Sequence, residues 1–203
     1  MIFLPLLILQ LLNQFLYMQK LKTLFKNNPQ RIIPLIITLT YFFAIIYISF
    51  FNHPYWFNED GPLYFWWGEQ ILNGDGKNVE IFAASPGGSV IHAAFNNIIG
   101  DAFLSGKIIS ILSGTGIIFF SYYIARNFLN VKIAILTQLF FVFNPRILML
   151  SSDAVNELLP IFFIMASFYF ITKKELTPTT IIISSFLLGI SSMLRFQAIP
   201  LFL

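Results

Sequence analysis

Long runs of apolar, uncharged residues recur along the chain and indicate transmembrane helices. An α-helix rises about 1.5 Å per residue, so roughly 20 residues cross the hydrocarbon core of a bilayer. Three uncharged runs approach this length, at residues 32–51, 108–125 and 176–194. The pattern predicts that each of these runs crosses the membrane as one helix.

Two shorter apolar runs, at residues 133–145 and 158–172, are flanked by charged residues. We interpret them as a helix pair whose outer end is kinked at Asn144-Pro145, because proline interrupts the hydrogen bonds of a helix. With the three longer runs, this gives five predicted spans. The prediction is an all-α fold, a polytopic transmembrane helix bundle.

A sixth apolar run occupies residues 1–17. It lacks a basic start and a small-residue cleavage site, which argues against a cleaved signal peptide. We interpret it as a membrane-associated helix, either crossing the bilayer or lying at its surface. The chain then divides into an N-terminal apolar and basic segment, residues 1–31, and a membrane module, residues 32–203, with an external loop at 52–106. Because an apolar run begins at the C-terminus, we expect a longer protein and no activity from this stretch alone.

The charged residues are distributed asymmetrically between the predicted connections. If the five spans alternate in direction, the basic residues fall on one side, which the positive-inside rule makes cytoplasmic: Lys20, Lys22, Lys26, Arg31, Arg126, Lys132, Lys173 and Lys174. The acidic residues fall on the outer side, with Glu175 as the exception: Glu59, Asp60, Glu69, Asp75, Glu80, Asp101, Asp153 and Glu157. The two patterns agree and predict a multi-pass cell-membrane protein with an external loop.

The external loop carries signals for two helices. Asn58 or Asp60 is suited to cap the first helix, with Pro62 in its first turn and Asn73-Gly74 at its end. A second helix is predicted from Ser85-Pro86 to Gly100. The first helix is rich in aromatic residues, such as Trp66 and Trp67, which favour the water–lipid boundary. Both helices are therefore predicted to lie parallel to the membrane.

Composition supports the membrane assignment and excludes some chemistry. The chain is 57% hydrophobic and only 10% charged, where a soluble domain has about 25% charged residues. It has no cysteine, so a disulfide or a thiol nucleophile is excluded. There are two histidines, His53 and His92, which give a histidine metal site little support. We interpret His92 as a histidine packed on an apolar helix face.

Small residues at close-packing spacing occur on two predicted spans. One set is Gly106, Ser110 and Gly114, and the other is Ser185 and Gly189. Such faces let helices approach closely in a membrane. We interpret both sets as plain bundle packing.

Paired acids and two basic residues are predicted to meet at the outer membrane face. Glu59 and Asp60 follow the first span, while Lys107 begins the second and Arg195 ends the fifth. Each residue also has a structural interpretation: Asp60 as a helix cap, Glu59 as its solvated neighbour, and the two basic residues as anchors reaching the headgroups. Asp153 and Glu157 are likewise interpreted as a solvated loop and a helix start. Their convergence at one membrane face favours a functional site, since charges there are costly unless used or paired.

In their order and spacing, these motifs resemble the membrane glycosyltransferases of the C-type fold, of the protein mannosyltransferase and aminoarabinose transferase branch. The motifs that carry the resemblance are Glu59-Asp60-Gly-Pro-Leu-Tyr64, Asn73-Gly-Asp-Gly76, Ser85-Pro-Gly-Gly88, Gly100-Asp101, Lys107, Asn144-Pro145, Ser151-Ser152, Asn156-Glu157, Leu188-Gly189 and Leu194-Arg195. Two departures occur: Lys107 stands where the family usually has arginine, and Ala83-Ala84 stands where the aminoarabinose transferases carry a second acid.

The resemblance implies inverting transfer of a sugar from a polyprenyl-phosphate donor to a hydroxyl of a protein or lipid acceptor on the external face. It implies Asp60 as the catalytic general base, with Glu59 as the alternative. Substrate-binding roles fall to Tyr64, Lys107, Glu157 and Arg195, with the two basic residues at the donor phosphate. No cofactor, metal or nucleic acid is implied.

Three alternatives remain open at this stage. A transporter subunit would explain the hydrophobicity and the outer acids. A metal-dependent oligosaccharyltransferase of the same fold class would need several acids around a divalent cation, and Asp60, Asp153 and Glu157 are the candidates. The third alternative is a non-catalytic membrane scaffold.

Overall fold

The computed structural model describes residues 28–52, 60–75 and 86–195, and every regular element in this part is a helix. The described elements are α1 (Pro29–Tyr47) with a π-helical continuation (Ile48–Asn52), α2 (Asp60–Leu72), α3 (Pro86–Ile99), α4 (Ala102–Phe128), α5 (Val131–Val142), α6 (Pro145–Ser152), α7 (Leu158–Ile171) and α8 (Pro178–Leu194). The predicted all-α class is confirmed. The apolar run at residues 1–17 lies outside the described residues.

Both helices predicted between the first two long spans are present. After α2, Gly74 has a φ of 86°, a backbone conformation that glycine adopts without strain. α3 begins at Pro86 and is followed by Gly100, whose φ is 78°. The predicted ends of the two helices are confirmed. Their orientation relative to a membrane stays a prediction.

The predicted kink at Asn144-Pro145 is confirmed as a break between α5 and α6, which are bent by 55°. The side chain of Asn144 caps α6 by accepting hydrogen bonds from the backbone N–H groups of Arg146 and Ile147, at 3.0 and 3.2 Å. Proline at the first position of α6 needs no helical N–H partner there. The local sequence therefore ends one helix and starts the next in a new direction.

Among the described residues, two helical segments are long and apolar enough to cross a membrane, the 24 residues of Pro29–Asn52 and the 27 residues of α4. The bent pair of α5 and α6 makes a third if it is counted as one span. α7 and α8, with 14 and 17 residues, are shorter than a full crossing. The prediction that these two helices also cross stays a prediction.

Helix α4 lies at the centre of the bundle and contacts α1, α2, α3, α5, α6 and α7. α8 packs along α7, and α2 and α3 pack against each other as a hairpin. That hairpin is close because Gly68 of α2 lies directly on the backbone of Ser89, where a side chain would not fit. α3 in turn contacts both α4 and α8, so it joins the hairpin to the bundle.

The small residues of α4 pack against the end of α6 and the non-helical segment that joins α6 to α7. Gly106 lies against Ala154, and Gly114 lies against Ser151. Between them, the hydroxyl of Ser110 donates a 3.0 Å hydrogen bond to the backbone carbonyl of Val155. This face therefore packs against irregular backbone as well as helix, and it supplies the polar partner that such backbone needs away from water.

The second set of small residues does not form a packing face in the described part of the chain. Ser185 is exposed, and no atom there lies within 4 Å of where a side chain at Gly189 would begin. Neighbouring serines make the contacts instead: Ser184 bonds the hydroxyl of Ser167 at 2.8 Å, and Ser191 donates to the carbonyl of Pro160 at 3.0 Å. The prediction was wrong in register, because spacing alone does not show which serine faces the neighbouring helix.

Candidate functional site

The end of α6 and the segment that joins it to α7, together residues 151–157, are fixed to α1 and to its π-helical continuation. Tyr41 and Ser151 share a hydrogen bond of 2.7 Å between their hydroxyl groups. Farther along α1, the hydroxyl of Ser49 donates a 2.9 Å bond to the backbone carbonyl of Ser152. Residues 151–156 are all buried. The segment therefore forms a fixed floor beneath α2 and α3.

Lys107, on α4, is buried beside this floor and does not lie at the surface. Its side chain is 1% exposed, and its ammonium group donates a hydrogen bond to the backbone carbonyl of Ser49. The ammonium also lies 5.2 Å from the ring centroid of Phe50 and 4.5 Å from that of Phe103, within cation–π range. The alternative of a lysine reaching out to the headgroups does not fit this burial.

Asp153 supplies the negative charge that accompanies Lys107. Its side chain is 3% exposed, and its carboxylate lies within electrostatic range of the Lys107 ammonium. One carboxylate oxygen accepts a 2.7 Å hydrogen bond from the backbone N–H of Ala154. The interpretation of Asp153 as a solvated loop residue was wrong. Opposite charges buried in a membrane bundle reduce each other's desolvation cost, which is why they occur together.

The N-terminus of α3 lies between the end of α8 and the same floor. Gly87 lies on the backbone of Met193, and Gly88 lies on the side chain of Asn156. A side-chain carbon at either glycine would clash with these neighbours. The Pro86-Gly-Gly88 sequence thus brings the positive end of a helix dipole against the last two residues of α8, which directly precede Arg195.

His92 lies nearly two turns into α3 and is 1% exposed. Its ring makes an edge contact with Phe65 of α2, with centroids 4.9 Å apart, so the interpretation of a packed histidine is confirmed. Burial lowers the pKa of His92 to about 4, and the side chain of Asn156 opposes part of that shift. Within the described residues, neither ring nitrogen reaches hydrogen-bond geometry with a partner. The neutral imidazole therefore belongs to a buried polar cluster with Asn156.

The remaining predicted site residues lie around this floor. Tyr64 is half-buried on α2, with its ring 6.1 Å from that of Trp67. Glu157 is half-buried at the start of α7, and its side chain makes no capping bond. Arg195 is half-buried, and its backbone N–H donates to the carbonyl of Ser191 at 2.9 Å.

The structure describes only one of the two predicted catalytic acids, Asp60, and only the backbone of that residue. Asp60 is the first residue of α2, and its position is described by that helix start alone. Glu59 lies outside the described residues. The structure thus brings together Lys107 with Asp153 and sets Arg195 beside the start of α3, while the distances from either acid to these residues are not defined.

Sequence reasoning missed Ser49, Asn156 and the buried role of Asp153. Ser49 carries no signal in an apolar run, because its carbonyl, not its side-chain type, accepts the bond from Lys107. Asn156 was visible only as half of the Asn156-Glu157 motif. Residues 153–157 contain three polar side chains and are followed directly by an apolar helix. This is the one sequence signal that indicated a buried polar segment.

Among residues 28–52, 60–75 and 86–195, no three histidine, aspartate or glutamate side chains converge as metal ligands would. The carboxylate of Asp153 lies within electrostatic range of the Lys107 ammonium group, and a positive charge at that distance disfavours a metal cation at the same carboxylate.

These features define a helical membrane protein with a buried charged site at one end of its bundle. The family model of dolichyl-phosphate-mannose-protein mannosyltransferase matches residues 83–203, more than half of the chain. The chain therefore belongs to this family and is a membrane glycosyltransferase of the mannosyltransferase type. The matched region covers α3 to α8 and leaves Glu59 and Asp60 outside it. No curated protein and no solved structure matches the chain.

Proposed function

We propose that this protein transfers a sugar from a polyprenyl-phosphate donor to a hydroxyl group of a protein or lipid, on the external face of the membrane and with inversion at the anomeric carbon. The observation that carries the proposal is the buried Lys107, whose ammonium group is bonded to Ser49 at the end of the first span and lies within electrostatic range of the buried Asp153. A buried charge in a membrane bundle is costly, and it marks a functional site by default.

Helix α2 connects Asp60 to this charge pair. Phe65 of α2 contacts Gly106, the residue before Lys107. Asp60 begins the same helix five residues earlier, which corresponds to about 7.5 Å along the helix axis. This spacing supports a site in which the Asp60 carboxylate is close to the outer end of α4. Tyr64, one turn after Asp60, is then suited to contact a substrate bound there.

In the proposed mechanism, Asp60 is the general base. Its carboxylate removes the proton from the acceptor hydroxyl as the oxygen attacks the anomeric carbon of the donor sugar. The bond between that carbon and the phosphate oxygen breaks, and the phosphate leaves with the electron pair. Because attack and departure occur on opposite faces, the anomeric configuration inverts. Glu59 is the alternative base.

Arg195 and Lys107 are the proposed source of positive charge for the departing phosphate. Arginine can donate two hydrogen bonds to one phosphate, and the N-terminus of α3 beside it also favours an anion. Lys107 adds a buried point charge from below. Donors fixed before the reaction stabilise the charge that develops in the transition state. Glu157 is proposed to hold a sugar or acceptor hydroxyl at the same rim.

An apolar cavity of about 450 Å³ between α3, α4 and α7 supports a lipid-linked donor. Ile91 and Phe95 line it from α3, Leu112 from α4, and Phe162 from α7. Isoprenoid chains are entirely apolar, so such a cavity accepts one without leaving a polar group unpaired. We assign the first isoprene units of the donor to this cavity because α3, which lines it, also has the proposed binding position of the donor phosphate at its N-terminus.

The test is transfer of labelled mannose from dolichyl-phosphate mannose by the full-length protein in liposomes that contain hydroxyl-bearing peptide or lipid acceptors. We expect a product whose anomeric configuration is opposite to that of the donor, formed equally with and without a metal chelator. Loss of transfer with the chelator would favour the metal-dependent transferase instead. Movement of sugar across the membrane with no new glycosidic bond would identify a transporter and overturn the proposal.

A further inference from the structure

A second cavity, of about 300 Å³ and lined by polar and basic side chains, lies at the opposite end of the bundle from Lys107 and Asp153. We propose that it binds the phosphate group of an anionic phospholipid from the membrane leaflet at that end. Three basic side chains line it, Arg31 at the start of α1, Arg126 near the end of α4, and Lys174 after α7. We call these residues and the cavity between them the basic pocket.

Hydrogen bonds between separate elements fix the shape of the basic pocket. The hydroxyl of Tyr122, a side chain only 1% exposed, donates a 2.5 Å bond to the backbone carbonyl of Gln30. Asn127 donates a 2.9 Å bond to the hydroxyl of Thr172, which ties α4 to the end of α7. The pocket is therefore a built feature in which α1, α4 and the connection after α7 hold fixed relative positions.

The sequence supplies little negative charge to balance the three basic residues. Glu175 is the one acidic residue on this side of the predicted topology; it is exposed and does not line the cavity. Residues 1–27, which precede α1, contain three lysines and no acid. Like charges held together repel one another unless an anion lies between them. The pocket thus has the charge of an anion site.

The position of the basic pocket favours a lipid as the source of the anion. It lies at the ends of α1 and α4, the two segments long enough to span a bilayer, and so at headgroup depth. Basic pockets between transmembrane helices are suited to anionic lipid headgroups. Arginine can bind two phosphate oxygens at once, and the half-buried Tyr123 and Asn127 add polar side chains to the wall. The occupant we infer is a phosphodiester with its acyl chains along the bundle.

The experiment is native mass spectrometry of the full chain, purified from nanodiscs that contain phosphatidylglycerol or only phosphatidylcholine. The pocket variant Arg126→Gln/Lys174→Gln is compared with a control, Arg146→Gln/Lys132→Gln, which removes the same two residue types from exposed positions outside the cavity. Circular dichroism establishes that both variants keep their helices. If the pocket variant does not fold, Lys174→Gln against Lys132→Gln gives the same comparison with one charge.

We expect the wild type and the control to retain one phosphatidylglycerol and the pocket variant to bind it roughly 25-fold more weakly, since each basic residue near an anionic surface contributes about fivefold. The single Lys174→Gln variant should show about one fivefold step. Equal weakening in pocket and control variants would show that only net charge attracts the lipid, and would overturn the proposal. Displacement of the lipid by millimolar inorganic phosphate would overturn the lipid assignment in favour of a free anion.

Discussion

The ammonium group of Lys107 donates a hydrogen bond to the backbone carbonyl of Ser49, and this bond joins the end of the first membrane helix to the start of α4. Ser49 lies in the π-helical turn Ile48–Asn52, where carbonyl groups lose the regular partners of an α-helix. Lys107 thus satisfies a backbone acceptor and at the same time brings a positive charge close to α2 and α3. Structure and proposed chemistry depend here on the same side chain.

The first prediction separates these two roles. Lys107→Met should lower the stability of the fold by about 1–3 kcal/mol, because it removes the hydrogen bond to the buried carbonyl of Ser49 and the positive charge that lies within electrostatic range of Asp153. The double variant Lys107→Met/Asp153→Leu should recover most of that loss, since buried ion pairs are often replaceable by apolar residues. Thermal unfolding in detergent measures both effects.

Transfer activity provides the second readout for these variants. The double variant should remain inactive even where it is stable, because it lacks the positive charge proposed beneath the donor phosphate. Wild-type activity in the double variant would restrict Lys107 and Asp153 to a structural role.

The second prediction concerns Arg195. Arg195→Ala should weaken use of the polyprenyl-phosphate donor by about 10- to 100-fold, the usual range for losing a hydrogen bond to a charged group. Arg195→Lys should weaken it less, because lysine keeps the charge and loses only the two-point geometry. The measurement is the donor concentration dependence of transfer by the full-length protein. Arg146→Ala, at an exposed position on α6, is the matched control and should leave donor use unchanged.

The third prediction is a pH dependence of stability from His92. Burial lowers the pKa of His92 from 6.5 to about 4, so the folded state binds fewer protons than the unfolded state between these values. The contribution of His92 to the free energy of unfolding is fully present above pH 6.5. It is lost as the pH falls toward 4, by an amount on the order of 3 kcal/mol. Thermal unfolding of wild type and His92→Gln between pH 4 and 7 should give curves that converge on acidification.

His53→Gln serves as the comparison for this experiment, because it removes the other histidine and leaves the contribution of His92 in place. Parallel curves for wild type and His92→Gln across the whole range would show that His92 has the same pKa in the folded and unfolded states, and would contradict the prediction.

The elements that the sequence predicted well are those set by local chemistry. Proline and glycine mark the limits of α3, and Asn144-Pro145 marks the bend between α5 and α6, because each acts on the backbone at its own position. The charge pair was not predicted, since Lys107 and Asp153 are 46 positions apart and meet only through packing around α4. The membrane setting also makes such residues hard to predict, because a lysine near a helix end can extend its side chain into the solvent or into the interior of the bundle.

The fourth prediction is the topology. The sequence contains no cysteine, so single-cysteine variants report their own position. Asp75→Cys, after α2, should react with a membrane-impermeant maleimide in intact cells, and Lys132→Cys, at the start of α5, should react only after permeabilisation. Both positions are exposed, so protein burial does not limit the reaction. The opposite pattern would place the candidate site on the cytoplasmic side and contradict the proposed external reaction.

The fifth prediction tests the general base. Asp60→Asn in the full-length protein should reduce sugar transfer by about 10²-fold or more while the protein stays folded and binds the donor. Asparagine has nearly the size of aspartate but cannot take up a proton at neutral pH. If Asp60 served only as a helix cap at the start of α2, asparagine would serve nearly as well, because the two residues rank together as N-caps.

The matched control for this test is Glu59→Gln, which removes the neighbouring carboxylate in the same way and should cost much less. Donor binding and transfer of labelled mannose are measured in parallel, so that a defect in the chemical step is separated from a defect in binding. Near-normal turnover by Asp60→Asn would refute the assignment of the base. Loss confined to Glu59→Gln would move the role to the preceding residue, and the two carboxylates would exchange the functions proposed for them.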